Sequence, residues 1–264
     1  ALLADTHVHA DAAKSHGGVV MSKNFEQVVQ TLLTLPRRPN AALVLGDCAF
    51  GDGRLGDYGQ FGRILAPLRS AGWPLHLALG NHDDREVFLN AALVSDDTPP
   101  PVAKKLVSLI RGERANWFVL DSLMKVNVVT GELGDAQIDW LGRVLDEHAD
   151  RPALIGVHHP PQFDLRPGET VGGIQDTAAL FDCLRPRRHV KAVIFGHTHR
   201  WSVTQRDGIH LVNLPPTAYV FEKGRPQGWV NLTLATDGAT VTLHTLDAAH
   251  SAAGETHTLT WRSA

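Results

Sequence analysis

The side chains best suited to bind metal ions in this sequence stand directly after short apolar runs. They are carboxylates, imidazoles and an amide. Five apolar runs are followed, in chain order, by Asp5 and His7, by Asp47, by Asn81, by His158, and by His197 and His199. Oxygen and imidazole ligands without a thiolate favour Mn, Fe, Co or Zn over Cu(I) or an iron–sulfur cluster. Two such cations held together generate hydroxide from a shared, bridging water, and hydroxide attacks phosphorus in phosphoester hydrolysis. The set therefore indicates a two-metal hydrolytic centre.

The spacing within these motifs supports the metal interpretation. Asp5 and His7 are two residues apart, so on an extended backbone their side chains point to the same face. Asp47 has two carboxylate oxygens, which allow one residue to bridge two cations. Each motif alone also fits a structural role, such as Asp47 in a helix cap or Asn81 in a tight turn. All of them in this order, each after an apolar run, favour metal binding.

Five apolar runs must position these side chains. They occupy residues 2–4, 41–45, 75–79, 153–157 and 190–195, and Gly, Pro or Asp residues bound them. Runs of this length predict strands that are buried on both faces. Because loops at the carboxyl ends of neighbouring strands converge in space, we expect the candidate ligands to meet at one edge of a sheet.

Helices are predicted between these strands. Apolar residues recur at helical spacing after a start near Ser22, and further helices are expected over residues 61–71 and 133–148. Near the end of the chain, residues 230–234 and 241–244 alternate around Asp237 and Gly238. This pattern predicts a β-hairpin with a tight turn.

Residues 84–116 interrupt the alternation of strands and helices. We expect helices over residues 85–93 and 102–110, separated by Thr98-Pro99-Pro100-Pro101. An insertion directly after a ligand loop is well placed to form a cap over the site or an oligomerisation contact. A surface segment with only a structural packing role is an equal alternative. Residues 1–264 are otherwise expected to form a single domain.

Composition narrows the class of protein. The chain has 264 residues, of which 43% are hydrophobic and 20% charged, and it can bury a large core. Its net charge of -3 shows no basic excess, so no extended nucleic-acid surface is indicated.

The basic residues within 37–38 and 185–188 lie in connections that precede strands, at the end of those strands opposite the candidate ligands, and we interpret them as solvated loop charge. Cys48 and Cys183 cannot support a disulfide framework.

Two features of the sequence bear on the location of the protein. No apolar stretch approaches the roughly 20 residues of a membrane span, so we expect a soluble protein. The sequence begins at Ala1 without Met and enters its first apolar run almost at once. A cytoplasmic location and export after removal of an N-terminal segment are both compatible with this beginning.

The series of motifs resembles that of the calcineurin-like metallophosphoesterases. It consists of Asp5-Thr6-His7, Gly46-Asp47, Gly80-Asn81-His82-Asp83, His158 and Gly196-His197-Thr198-His199. The extensions through Asp84-Arg85 and His159-Pro160-Pro161 are most similar to the branch with class III cyclic-nucleotide phosphodiesterases and glycerophosphodiesterases. The resemblance implies an α+β fold, a four-layer αββα sandwich of two mixed β-sheets flanked by helices. The hairpin near Asp237 would belong to the second sheet.

The resemblance also implies roles for matching residues. A first metal would be held by Asp5, His7 and His199, a second by Asn81, His158 and His197, and Asp47 would bridge them. His82 would contact the phosphate and assist the leaving oxygen, while His9 and His159 match no family ligand. The implied activity is hydrolysis of a small phosphodiester with two transition-metal ions (Mn, Fe, Zn or Co), in a chain that could form a homo-oligomer.

Two alternatives belong to other classes. The pair His7 and His9 also matches the opening of amidohydrolase-like barrels, in which both would bind metal, but a barrel needs eight strand–helix units and gives no role to residues 196–199. The same sandwich could also act as a non-catalytic scaffold. Because every ligand position of the family pattern is filled, we expect an enzyme.

Overall fold

Two six-stranded mixed sheets form the centre of the protein, as shown by a computed structural model that describes residues 1–91, 93, 100–165 and 169–263. The first sheet has the order β14 (Thr256–Thr260), β13 (Gly238–Thr245), β12 (Gly228–Leu234), β1 (Leu2–Leu3), β4 (Ala42–Leu45) and β5 (Leu75–Ala78). The second has the order β10 (Ser202–Arg206), β11 (Ile209–Asn213), β9 (Val190–Phe195), β8 (Ala153–Gly156), β7 (Asn116–Val119) and β6 (Ser108–Arg111). A small separate hairpin joins β2 (Ser15–His16) to β3 (Val19–Val20).

Helices cover the outer faces of both sheets. They are α1 (Met21–Thr34), α2 (Leu55–Ser70), α3 (Arg85–Asn90), α4 (Asp135–Glu147) and α5 (Thr177–Leu184). Phe25 of α1 and Phe61 of α2 share a core with the first sheet, whereas Leu141 of α4 and Leu180 of α5 share one with the second. A third core lies between the sheets. The expected four-layer αββα sandwich is therefore confirmed.

Parallel pairing aligns the strands that precede the candidate ligands. In the first sheet β1 pairs with β4 and β4 with β5, and in the second β8 pairs with both β7 and β9, all in parallel. The buried faces explain why these strands read as continuous apolar runs, since all the residues of β4, β8 and β9 are buried. Their carboxyl ends consequently lie at the same edge of the sandwich.

The predicted helix over residues 102–110 is wrong. Residues 108–111 form β6, which pairs antiparallel with β7 at the edge of the second sheet. Leu109 packs toward the core under α4 and α5, while Ile110 packs toward the core between the sheets. Side chains that alternate between two faces are typical of a strand. A segment of this length cannot be distinguished in sequence from part of a helix. Thr98 and Pro99 lie outside the described residues.

The helix start expected near Ser22 is confirmed, since α1 begins at Met21 and Ser22 is buried within its first turn. Two further expectations need adjustment. The hairpin of β12 and β13 lies in the first sheet, because β12 pairs with β1 at Leu2 and Val230. The helix expected over residues 85–93 ends at Asn90, and the side chain of Asp84 caps its start by accepting the Val87 N–H at 3.0 Å.

Neither cysteine forms a disulfide in the structure: both are free, with Cys48 buried and Cys183 partly buried.

Within the part of the chain that the structure describes, no helix combines the length and apolar character needed to cross a bilayer. The two open sheets also exclude the barrel alternative, which requires a closed ring of parallel strands.

Candidate metal centre

The candidate ligands lie where the chain leaves the carboxyl ends of the central strands, and their backbone is strained. Five of them adopt left-handed φ angles: Asp5 (55°), His7 (44°), Asp47 (49°), His197 (70°) and His199 (54°). Such angles are uncommon in residues other than glycine and cluster at functional sites. The surrounding hydrogen bonds maintain them, since Asp5 N–H donates to Gly46 O at 3.1 Å and His7 N–H to Asp47 O at 2.9 Å.

Glycines directly before Asn81 and His197 allow carboxylates from other loops to approach the backbone closely. A Cβ atom on Gly80 would lie 2.2 Å from Asp47 Oδ1, and one on Gly196 would lie 2.6 Å from Asp5 Oδ2. Both distances are far below van der Waals contact, so only glycine fits at these positions. The glycine in each motif is thus part of the geometry that brings the ligands together.

Asp5, His7 and His199 form one donor group. All three are buried, and each has a ligand atom within 4.8 Å of the others. The Nε2 atoms of His7 and His199 are 3.1 Å apart, and His199 Nε2 is 3.5 Å from Asp5 Oδ1. His199 Nδ1 lies 2.6 Å from the Tyr219 carbonyl, to which it donates. This contact leaves the lone pair on Nε2 of His199 for a metal ion.

Asn81, His158 and His197 form a second donor group. His158 Nε2 lies 3.3 Å from Asn81 Oδ1 and 3.2 Å from His197 Nδ1. His158 Nδ1 donates to the Leu45 carbonyl at 2.9 Å, which again directs an Nε2 lone pair into the group. Three strand ends, those of β5, β8 and β9, therefore contribute one donor each.

Asp47 lies between the two groups. Its Oδ2 is 3.6 Å from His7 Nε2, and its Oδ1 is 3.4 Å from His158 Nε2. Ligand atoms of Asp5, Asp47 and His158 lie within 4.8 Å of one another, as do those of His7, Asp47 and His82. A single carboxylate thus reaches both donor groups, as a bridging ligand must.

His82 is held at the edge of the centre by two contacts. Its backbone N–H donates to Asp47 Oδ1 at 2.9 Å, and its Nδ1 lies 2.7 Å from the Gly51 carbonyl. The second contact assigns the Nδ1 proton and leaves Nε2 for another partner. Its ring is 5.2 Å from that of His7 and is only partly buried. His82 is therefore adjacent to the donor groups and accessible to a substrate.

The charges around the two donor groups favour a bound cation. Burial lowers the pKa of His7 to about 3 and that of His197 to about 4, so both imidazoles are neutral donors at pH 7. Burial opposes ionisation of Asp47, but nearby His158 outweighs it and holds the Asp47 pKa well below its ordinary value. Burial likewise lowers the pKa of His158, yet Asp47 and Asp5 raise it to about 9. The carboxylates thus stabilise a cation beside Nε2 of His158.

These features fit a pair of metal ions. Imidazole nitrogens face one another at distances at which lone pairs repel unless a proton or a cation lies between them. Oxygen and nitrogen donors without sulfur suit Zn, Mn, Fe or Co. The groupings of Asp and His can hold metal ions, and their arrangement accommodates two.

His159 lies closer to this centre than the sequence indicated. Its ring is buried, its centroid is 4.6 Å from that of His197, and it forms a potential donor group with His158 and His197. Its Nδ1 contacts Ser122 Oγ at 2.7 Å, and its Nε2 is buried without a partner. Adjacency to His158 was the only sequence signal. In contrast, His9 belongs to none of the donor groups found among the described residues and accepts a hydrogen bond from Asp11 N–H.

Comparisons with known proteins place this geometry in context. A family model described as calcineurin-like phosphoesterase matches residues 1–201. The 3′,5′-cyclic adenosine monophosphate phosphodiesterase CpdA of Pseudomonas aeruginosa is 31% identical over 224 residues, which are 84% of this chain and 77% of that protein. The glycerophosphodiester phosphodiesterase GpdQ of Enterobacter lignolyticus is 27% identical over 234 residues, covering 85% of this chain and 80% of that protein. A dimetal phosphatase from Danio rerio has the same fold, with a TM-score of 0.71, 16% identity and coverage of 99% and 98% of the two chains.

Proposed function

The chain belongs to the calcineurin-like phosphoesterase family, and on that premise we propose that it is a binuclear metal-dependent phosphodiesterase. Its substrates are small phosphodiesters of the cyclic-nucleotide or glycerophosphodiester type, the classes that the names of its relatives specify. The observation that carries this proposal is the position of Asp47, whose two oxygens reach two separate donor groups. A non-catalytic scaffold would need neither these groups nor His82 beside them.

Each donor group has a role in the proposal. Asp5, His7 and His199 would hold one ion, Asn81, His158 and His197 would hold the other, and Asp47 would act as the ligand shared by both. The ions are drawn from Mn, Fe, Zn and Co, which match this set of oxygen and nitrogen donors. When bound, two such cations lower the pKa of water toward neutrality and neutralise charge on phosphoryl oxygens.

The chain's own residues orient the reaction. The loop hydrogen bonds and the left-handed backbone angles fix the ligands before substrate arrives, so little reorganisation accompanies catalysis. In the doubly protonated ring of His82, Nδ1 donates to the Gly51 carbonyl and Nε2 carries a second proton, which passes to the departing ester oxygen and leaves the ring neutral. A diester needs this step because its leaving group departs as an alcohol.

Residues 84–116 complete the proposed architecture of a single domain spanning residues 1–264. Within this insertion, α3 begins three residues after His82 and β6 forms an edge of the second sheet. In this proposal the insertion acts either as a cap over the site or as an oligomerisation contact, for which β6 is the available edge. An exposed edge strand offers unpaired backbone groups to a second copy of the chain.

The test uses metal-depleted protein supplied separately with Mn, Zn, Fe or Co. A panel of phosphomonoesters, bis-aryl phosphate, cyclic nucleotides and glycerophosphodiesters is assayed with each metal. We expect no hydrolysis without metal and recovery of diester hydrolysis with Mn or Co. Full activity of the metal-depleted protein would overturn the two-metal mechanism, and two bound metals without hydrolysis of any ester would favour the scaffold.

A further inference from the structure

Four aromatic side chains line one side of the candidate metal centre. They come from three segments of the chain: His16 from β2, Phe50 from the loop after β4, and Tyr219 and Phe221 from the loop after β11. The His16 ring lies 5.3 Å from that of Phe50 and 4.5 Å from that of Tyr219, and the Tyr219 ring lies 5.9 Å from that of Phe221. We refer to these four residues as the aromatic flank.

Phe221 presents one face of its ring to solvent. Its other face stacks on the imidazole of His199, with the ring centroids 4.1 Å apart and the planes inclined by 14°. The side chain is nevertheless 67% exposed, the highest exposure among the large apolar residues that the structure describes. A planar ring fixed in this way, directly beside a ligand of the proposed metal centre, is available for stacking with a planar group.

The segment that carries Tyr219 and Phe221 is anchored to the loops of Asp5 and His199 by hydrogen bonds at Ala218 and Tyr219. Ala218 N–H donates to Asp5 O at 2.9 Å, and the Tyr219 carbonyl accepts from His199 Nδ1. Tyr219 packs in a small buried cluster with Met21, and the turn at Gly17 approaches it so closely that an added Cβ would lie 3.0 Å from Tyr219 Cβ. The flank therefore exists before substrate binds, which reduces the entropic cost of binding.

We propose that the aromatic flank binds the base of a nucleotide phosphodiester and that Phe221 stacks on this base. The inference rests on the proposed phosphodiesterase function and selects one of its two substrate classes. A glycerol moiety has no flat surface to stack, whereas every nucleobase has a π face. With the phosphate at the donor groups, the base is one sugar ring away and lies within reach of the flank.

A quaternary ammonium group, as in glycerophosphocholine, is the other ligand that aromatic rings attract. The charges next to Phe221 oppose it. Glu222 pairs with both Arg200 and Arg225, so two guanidinium groups surround one carboxylate beside the ring. This excess of positive charge repels a cationic head group, while a neutral base is indifferent to it.

The decisive experiment compares substrates with and without a base in metal-loaded protein. We expect Phe221→Ala to lower kcat/KM for cyclic adenosine monophosphate about tenfold relative to kcat/KM for glycerophosphoethanolamine, since loss of one base–aromatic stack has an effect of this order. Phe221→Trp should restore the ratio. The matched control is Leu55→Ala, because Leu55 is 60% exposed and lies outside both the aromatic flank and the donor groups.

The ratio of rates separates this role from damage to the metal centre. Loosening of His199 would lower both rates together and would reduce metal content, whereas loss of stacking lowers only the rate for the nucleotide. An equilibrium measurement adds a second readout: adenosine monophosphate should bind the Phe221→Ala variant about tenfold more weakly than wild type, with binding of ribose 5-phosphate unchanged.

Three outcomes would overturn the proposal while leaving the phosphodiesterase function intact. Equal losses for the two substrates would show that Phe221 acts only through His199. Unchanged rates for both would show that the ring contacts neither. A selective loss for glycerophosphocholine, assayed as a third substrate, would assign the flank to a quaternary ammonium group. If wild type hydrolyses no phosphodiester with any metal, the proposed function itself fails.

Discussion

Arg85 binds Asp121 through two parallel hydrogen bonds, from Nε to Oδ2 at 2.7 Å and from Nη2 to Oδ1 at 2.9 Å. Arg85 begins α3, shortly after Asn81 and His82, while Asp121 lies in the loop after β7. The next residue, Ser122, contacts Nδ1 of His159. Two neighbouring residues thus connect the loop that carries Asn81 to the loop that carries His158, and they do so without contacting the donor atoms.

Replacing Arg85 with Met should destabilise the fold, because the Asp121 carboxylate is fully buried and would lose its guanidinium partner. Leu106 and Leu123 N–H groups still donate to Asp121, so we expect a loss of about 1–3 kcal/mol in the free energy of unfolding. Chemical denaturation measures it. Arg54→Met is the matched control, since Arg54 pairs with Asp52 at the surface and should have no measurable effect. Equal stability of the two variants would contradict this role of Arg85.

Replacing Asp47 with Ala should impair both metal sites, because its two carboxylate oxygens face His7 in one donor group and His158 in the other. Elemental analysis of the protein after equilibration with Mn or Co should show loss of both ions and of activity. Asp5→Ala provides the contrast, since it removes a donor from one group and should weaken one ion selectively. Retention of two tightly bound ions in the Asp47 variant would remove it from the bridging position.

Replacing His9 with Ala should preserve both metal ions. His9 lies outside the donor groups, and its ring nitrogen Nδ1 is engaged by Asp11 N–H at 3.0 Å. His199→Ala, in comparison, removes a donor whose Nε2 lies 3.1 Å from that of His7 and should weaken binding of the first ion. Calorimetric titration of metal-depleted variants distinguishes them. Weaker metal binding in the His9 variant than in the His199 variant would reverse the assignment.

Replacing His82 with Ala should leave metal content unchanged and lower the rate by about 10²–10⁴, the usual contribution of a positioned acid. The loss should be small for esters with acidic leaving groups such as nitrophenolate, which need little protonation, and large for alkyl diesters. Rates across esters of graded leaving-group pKa test this expectation. Equal losses for good and poor leaving groups would restrict His82 to contact with the phosphate.

The strands that carry the site could be predicted from sequence because they are buried on both faces. In such strands the apolar run ends where the strand ends, so the polar residues that follow mark the edge of the sheet. The observed bounds of β4, Ala42–Leu45, and β9, Val190–Phe195, differ from the predicted runs by at most one residue. The sequence alone therefore predicts that Asp47 and His197 lie at the edge of the sandwich where the structure places them.

Features that depend on long-range pairing could not be predicted in the same way. β6 has only four residues, and Leu109 and Ile110 face different cores only because both sheets are present. The sequence of the hairpin at Asp237 does not indicate which of the two sheets it joins. The contact between His159 and Ser122 and the aromatic flank likewise bring together segments far apart in the chain, and no local pattern records such proximity.

The close approach of Gly80 to Asp47 and of Gly196 to Asp5 has an evolutionary consequence. Neither glycine contributes a ligand atom, yet a single added methyl group at either position would collide with a carboxylate that reaches the metal centre. All the ligand side chains could remain in the sequence while the centre is lost. A relative that keeps every Asp, Asn and His of the pattern but carries Ala at one of these glycines would thus retain the appearance of an enzyme without its function.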